Sequence, residues 1–301
     1  MQLQELVQEF LFECEIREYT EKTVENYRKQ LRHFTEFLEE HYSVTTLEAV
    51  EPSHIKAFIK FYQIRQCKPS YVNDNLKAVK VLCSYAYKEQ YTDHLLTENI
   101  KNVKEPKSLI HTFSTDEIKK MISFYHGTDY IEVRNKLILM MLFDTGIRIN
   151  ELIEMKQEQI QDSYFIIYGK GRKERVVPKN ALVSKTLIKY LAAKQKYFQC
   201  RKSADYLFLS KNGKKMNNQA VHKFMKDCAK AVGVRSTVRV SPHTCRHTFA
   251  QQQLRNGLDL YSLSRLLGHE SVAITQRYLE SIQDSQIISN AKKTGVLSNL
   301  K

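Results

Sequence analysis

The chain has 301 residues, 42% of them apolar, and carries 47 Lys and Arg against 33 Asp and Glu for a formal net charge of +14. That length predicts two domains with ordinary hydrophobic cores; no apolar run reaches the roughly 18 residues of a membrane span. The acidic start MQLQELVQEFLFECE is unlike a signal peptide, so a cytoplasmic protein without membrane contact is expected.

Cys14, Cys67, Cys83, Cys200, Cys228 and Cys245 form no CxxC pair, which argues against a disulfide framework and against a zinc site. The charge is unevenly placed. Residues 111–301 hold 32 Lys and Arg against 16 Asp and Glu, whereas residues 1–110 hold 15 against 17. Within the first part, residues 51–80 are basic, 6 against 2, in an otherwise acidic stretch. A basic second domain and one basic region in the first suit a protein that closes around a polyanion.

In chain order, Leu3, Leu6, Val7, Phe10 and Cys14 repeat at helical spacing, as do Val24, Tyr27, Leu31, Phe34 and Leu38 behind a Thr20 cap. Pro52 and Ser53 open a third helix with Ile55, Phe58, Ile59 and Tyr62 inward. Ser70 is expected to cap a fourth, with Val72, Leu76, Val79, Leu82 and Ala86 inward. Residues 1–98 therefore predict a bundle of four or five helices. Lys56 and Lys60, and Lys77 and Lys80, stand four and three residues apart, which gathers each pair on one helix face.

Residues 99–112 lack periodicity, contain Pro106 and three lysines, and read as a linker. Ser114 with Glu117 forms a capping box and Phe113 with Ile118 a hydrophobic staple, so the second domain is expected over residues 113–301. Tyr164–Tyr168 and Arg175–Val177 are β-rich and flank GKGRKE, predicting a hairpin whose turn carries Lys170. Tyr206–Leu209, followed by Asn212-Gly213, predicts a further short strand and turn. The fold class expected is mainly α with a small β-sheet: an N-terminal helical bundle and a C-terminal mixed α/β domain.

Six residues of the second domain carry chemistry. Arg148 follows Gly146 where one helix turns into the next, and a guanidinium there can grip a phosphate through two parallel hydrogen bonds. Glu151, three residues on, is placed to hold it or to make a plain helix-surface ion pair. Ser241-Pro242 caps a helix on which His243 and Arg246 stand one turn apart, near the positive end of its dipole. His247 projects to another side and reads as packing or support. His269 follows Gly268 in a turn; Ser271 then caps a helix carrying Tyr278. Lys170, in a mobile Gly-Lys-Gly turn, brings a flexible ammonium. Arg172, Lys173 and Arg175 follow as candidates for a nucleic-acid backbone.

In this order and context the set resembles the active site of the tyrosine recombinase (phage integrase) family, whose compact members are the Xer recombinases. The resemblance covers nearly the whole chain, with TGIRINEL, GKGRKERVV, SPHTCRH, LLGHES and TQRYLE in register. It implies a helical core-binding domain joined to a catalytic domain, both clamping double-stranded DNA, with Lys56, Lys60, Lys77 and Lys80 facing it. It implies site-specific recombination through a covalent 3′-phosphotyrosine on Tyr278, with neither cofactor nor metal. Arg148, Arg246 and His269 would stabilise the phosphoryl oxygens, Lys170 would protonate the leaving 5′-oxygen, and His243 would manage the tyrosine proton.

Family members act as tetramers on paired sites, sometimes with a second recombinase or a directionality factor. Residues 282–301, with Ile287, Ile288, Val296 and Leu297 as anchors, are expected either to dock onto a neighbouring subunit or to form a disordered tail. The chain opens on core-binding helices, so no arm-binding domain is expected. Two alternatives stand beside this reading: type IB topoisomerase-like relaxation, and a DNA-binding module without catalysis.

Overall fold

A computed structural model of the chain describes residues 1–106, 110–169, 173–199, 203–276 and 278. Contacts divide the chain into two compact units, Met1–Ser108 and Leu109–Lys301. Among the described residues no helix is long and apolar enough to cross a membrane.

The first unit is built from α1 (Leu3–Ile16), α2 (Glu21–Tyr42), a 3-10 turn at Leu47–Ala49, α3 (Pro52–Ile64) and α4 (Pro69–Lys88). The residues expected to face inward at 3.6-residue spacing are the ones that pack, with Leu6, Leu31, Leu38, Ile55 and Leu76 fully buried. Thr20 caps α2 by accepting from the Thr23 amide at 3.3 Å. The α4 cap differs from expectation: Lys68 is the N-cap and Pro69 takes the first helical position, so Ser70 lies inside the helix. A proline there loses nothing by lacking an N–H and has its φ preset, which draws the helix start two residues earlier than a cap at Ser70 would.

The first unit also runs further than residue 98. Asn73 on α4 accepts from the Val103 amide at 2.8 Å and donates to the Val103 carbonyl at 2.9 Å, while Ile100 is buried in the helical core. The early part of the expected linker is thus packed. Lys56, Lys60 and Lys77 are exposed, whereas Lys80 is half-buried and donates to Asn102 Oδ1 at 3.0 Å.

The second unit contains α5 (Thr115–Phe124), α6 (Tyr130–Thr145), α7 (Ile149–Glu154), β1 (Tyr164–Tyr168), β2 (Glu174–Pro178) and α8 (Ala181–Phe198). It continues with α9 (Asn218–Ala231), α10 (Pro242–Arg255), α11 (Leu260–Leu267) and α12 (Ala273–Gln276). α6 is buried almost all round and packs against α5, α8 and α10, which makes it the central helix. Ser114 and Glu117 form the capping box of α5 as expected.

β1 and β2 pair antiparallel from Tyr164↔Pro178 to Tyr168↔Glu174. The turn between them, with Lys170 and Arg172, lies outside the described residues, as does 282–301. The expected strand at Tyr206–Leu209 is reduced to an isolated bridge, Leu209↔Lys215. Its carbonyls are taken by side chains instead: Tyr190 Oη donates to Leu207 at 2.7 Å, and Tyr130 Oη and Arg134 Nη1 to Leu209 at 2.9 and 2.7 Å. Backbone groups satisfied this way have no need of a sheet ladder.

Candidate active site

The site is organised by two helix ends. α6 stops at Gly146, whose φ of +60° is the left-handed conformation that glycine adopts without strain. A Cβ there would lie 2.5 Å from the Phe249 ring, so close packing forbids a larger residue as well. Two residues later Arg148 is the N-cap of α7. Its amide donates to Glu151 Oε2 at 2.9 Å and its Nη1 to Oε1 at 3.0 Å, so one carboxylate closes the helix end and holds the guanidinium.

The second helix end is that of α11, closed by Gly268 at φ +63°. Its terminal carbonyls lack partners within the helix and carry the negative end of its dipole. Three arginines from three different elements occupy them in succession. Arg175 Nε on β2 donates to Leu266 at 2.9 Å, Arg246 Nη2 on α10 to Leu267 at 2.6 Å, and Arg148 Nη2 to Gly268 at 3.1 Å. Arg246 also donates through Nη1 to the Gly146 carbonyl at 2.7 Å, joining the two ends.

Arg246 is buried while the Arg148 side chain is 40% exposed. Burial, reinforced by the positive charges of Arg148 and Arg175, pulls Arg246 down to about 10. Its bonds to Gly146 and Leu267 are to neutral carbonyls, so an arriving anion would meet a desolvated cation, the arrangement in which charge pairing is strongest. Burial pushes the Glu151 carboxyl up, but hydrogen bonds and charge from Arg175, with help from Arg148, outweigh it and hold the group below its ordinary value.

The histidines and the tyrosine line up beside this cluster. Ser241 caps α10 by accepting from the Thr244 amide at 3.1 Å, with Pro242 at the first position as expected. His243 is exposed and His247, one turn further, stands between it and Tyr278: ring centroids are 6.1 Å apart for His243 and His247 and 5.4 Å for His247 and Tyr278. On the other side the His269 ring lies nearly parallel to Tyr278 at 6.5 Å. His269 Nδ1 shares a 2.7 Å hydrogen bond with Thr275 Oγ1.

Tyr278 is 1% exposed and packs with Phe249, Ala250, Leu254, Leu263 and Leu267, close enough to Arg246 to interact electrostatically. Its amide donates to the Thr275 carbonyl at 3.0 Å.

Four of the six predicted residues, Arg148, Arg246, His269 and Tyr278, lie together, His243 stands beside His247 next to them, and Lys170 lies outside the described residues. Arg175, set in the sequence among residues for a nucleic-acid backbone, is instead turned inward. Its Nη1 and Nη2 donate to Glu151 at 2.9 and 2.6 Å, and its side chain is 9% exposed. Lys173 is exposed. The sequence reading missed Thr275 and the station of His247 beside the phenol.

Residues 111–284 match the model of the phage integrase family, and residues 6–93 match that of the phage integrase N-terminal SAM-like domain. The chain belongs to the phage integrase family. It is a tyrosine recombinase of the Xer-like kind. Among similar proteins, tyrosine recombinase XerD of Oceanobacillus iheyensis is 26% identical over 265 residues, covering 87% of this chain and 88% of XerD. Tyrosine recombinase XerC of Rickettsia bellii is 29% identical over 273 residues, 88% of each chain.

The fold of this recombinase is that of XerH bound to palindromic difH substrate, at a TM-score of 0.75 and 21% identity over 90% of this chain and 79% of XerH. It is likewise that of a lambda integrase dimer bound to a COC′ core site, at a TM-score of 0.73 and 18% identity over 92% and 95%.

Proposed function

We propose that this recombinase cuts and rejoins DNA strands at specific sites through a covalent 3′-phosphotyrosine on Tyr278. The observation that carries this reading is the convergence of the Tyr278 phenol with Arg246 and His269 at one helix end, where Arg148 and Arg246 hold the adjacent carbonyls of Gly268 and Leu267. Tyr278 attacks the scissile phosphate and releases a 5′-hydroxyl, whose return reverses the step. Arg148 and Arg246, with His269, meet the charge that builds on the non-bridging oxygens. His269 is oriented by Thr275 for that task. His243 manages the phenolic proton and Lys170 protonates the leaving oxygen.

The remaining assignments follow the same reading. The first unit is a core DNA-binding domain that offers Lys56, Lys60 and Lys77, the second unit is catalytic, and Lys173 contacts the backbone beside it. Relatives solved with DNA, XerH on difH and lambda integrase on a core site, support a duplex as partner. The protein works in the cytoplasm, as a tetramer on two paired sites.

Tyr278→Phe is the test. The ring packing is kept and one hydroxyl adds little to an interface of many phosphate contacts, so DNA binding persists while the covalent adduct disappears from a denaturing gel. A Phe variant that still traps labelled suicide DNA would overturn the assignment of the nucleophile.

A further inference from the structure

Arg175 ties together pieces of the site that the chain encodes far apart. It sits on β2, opposite Ile167 in the sheet, and its guanidinium makes a fork on both oxygens of Glu151, on α7, while Nε donates to Leu266 at the end of α11. Oε1 of Glu151 is shared: it accepts from Arg175 Nη1 at 2.9 Å and from Arg148 Nη1 at 3.0 Å. The carbonyls that follow Leu266, those of Leu267 and Gly268, are the ones gripped by Arg246 and Arg148. Gly268 leaves room for this, since a Cβ there would come within 2.9 Å of Arg175 Cδ.

We propose that Arg175 is a positioning residue for strand cleavage: by fixing the Glu151 carboxylate and anchoring β2 to the terminal carbonyls of α11, it sets where the Arg148 and Arg246 guanidiniums stand. The inference rests on the catalytic reading above and deepens it. Three N–H groups in one plane, two on a carboxylate and one on a carbonyl, are a fork that a lysine ammonium cannot reproduce. With those donors spent inside and the side chain 9% exposed, Arg175 acts through its neighbours rather than on DNA.

A second consequence separates this role from simple scaffolding. Glu151 is faced by Arg148 at the α7 cap, Arg175 on β2 and Arg246 on α10, with Glu154, Lys156, Glu158 and Tyr168 round the adjoining cavity. Burial raises its carboxyl and Arg175 is the main force lowering it. Without Arg175 the carboxyl rises, protonation occurs at higher pH, and Arg148 loses its charged anchor there. The acid limb of cleavage should therefore move towards neutral pH.

The test uses the full chain and a nicked suicide duplex whose site is selected from a random-sequence pool by covalent capture on the wild-type protein. Arg175→Met is expected to lower the single-turnover adduct rate about 100-fold, the scale of a misplaced catalytic group. DNA affinity stays within about threefold, since phosphate contacts elsewhere are untouched, and the acid limb shifts up. Arg175→Lys should shift the acid limb less than Arg175→Met while still losing rate, because it restores the charge but not the fork.

Glu151→Gln combined with Arg175→Met removes the buried charge as well as its partner, and it keeps the inference testable if Arg175→Met alone fails to fold. It should lose less than the product of the two single losses, because the Glu151 contact is common to both while only Arg175→Met gives up the bond to Leu266. An Arg175→Met protein with wild-type rate and wild-type acid limb overturns the inference, as does a double variant whose losses multiply. Absence of a wild-type adduct overturns the catalytic reading itself, and this inference with it.

Discussion

Replacing Gly268 by Ala probes the joint on which the site is assembled. Its φ of +63° costs an L-residue about 1–2 kcal/mol. The new methyl would also lie 2.9 Å from Arg175 Cδ and 3.1–3.2 Å from its Nη1 and Nε. Arg175 cannot swing aside without giving up a bond to Glu151 or Leu266, and a hydrogen bond to a charged group contributes about 1.5–3 kcal/mol. The sum is about 2.5–5 kcal/mol, or about 5–20 °C in Tm at the roughly 2–4 °C per kcal/mol of a unit this size.

Gly233→Ala is the internal control, with φ +71° and nothing within 4 Å of the added carbon. It should cost only the backbone strain of about 1–2 kcal/mol. Thermal unfolding and urea titration of both variants isolate the contact with Arg175 as the difference. Equal losses in the two proteins would refute the crowding on Arg175 and the geometry of the three-arginine joint.

Two further outcomes follow from named contacts. Thr275→Val removes the hydroxyl that meets His269 Nδ1; single-turnover cleavage should fall about tenfold for about 1 kcal/mol of stability, the net worth of one hydrogen bond. Cleavage unchanged by Thr275→Val would show that His269 needs no orienting partner. Glu117 is held at about 2, chiefly by hydrogen bonds from Arg235 against the opposing effect of burial. The drop from the usual 4.5 corresponds to at most about 3 kcal/mol, and since Arg235 is half exposed, about 1–2 is expected. A depressed carboxyl stabilises above its unfolded value and ceases to do so as pH falls through the folded one. The stability gap between wild type and Glu117→Gln should therefore be full at pH 7 and close between about 4.5 and 2. A gap independent of pH would contradict the ion pair.

The sequence carries the parts of this fold that local physics decides. The apolar spacing in α1 to α4 is legible because each helix buries one stripe, and the Ser114–Glu117 box because a cap is a local exchange of hydrogen bonds. What escaped was decided by distant partners. Leu207 and Leu209 look like a strand until Tyr190, Tyr130 and Arg134 take their carbonyls. Residues 100–105 look like a linker until Asn73 clamps Val103.

The site shows the same division. Residue types and order named Arg148, Arg246, His269 and Tyr278, but not the α11 carbonyls that gather the arginines. Arg175 did leave a signal: it shares its pleat face with the fully buried Val177, while Val176 between them is 58% exposed. Its position in a basic run hid that alternation. The expectation that His247 projects to another side of α10 is not met: one helical turn after His243 it shares that residue's side, and only the fold brings Tyr278 against it.

The central claim is that the Tyr278 phenol is the group that takes the phosphoryl. Digesting the trapped protein–DNA adduct with protease and nuclease and sequencing the modified peptide by mass spectrometry tests it directly. The account predicts a nucleotide remnant on Tyr278 joined through its 3′-phosphate. A remnant on any of the other 16 tyrosines of the chain, or a linkage through a 5′-phosphate, would contradict it.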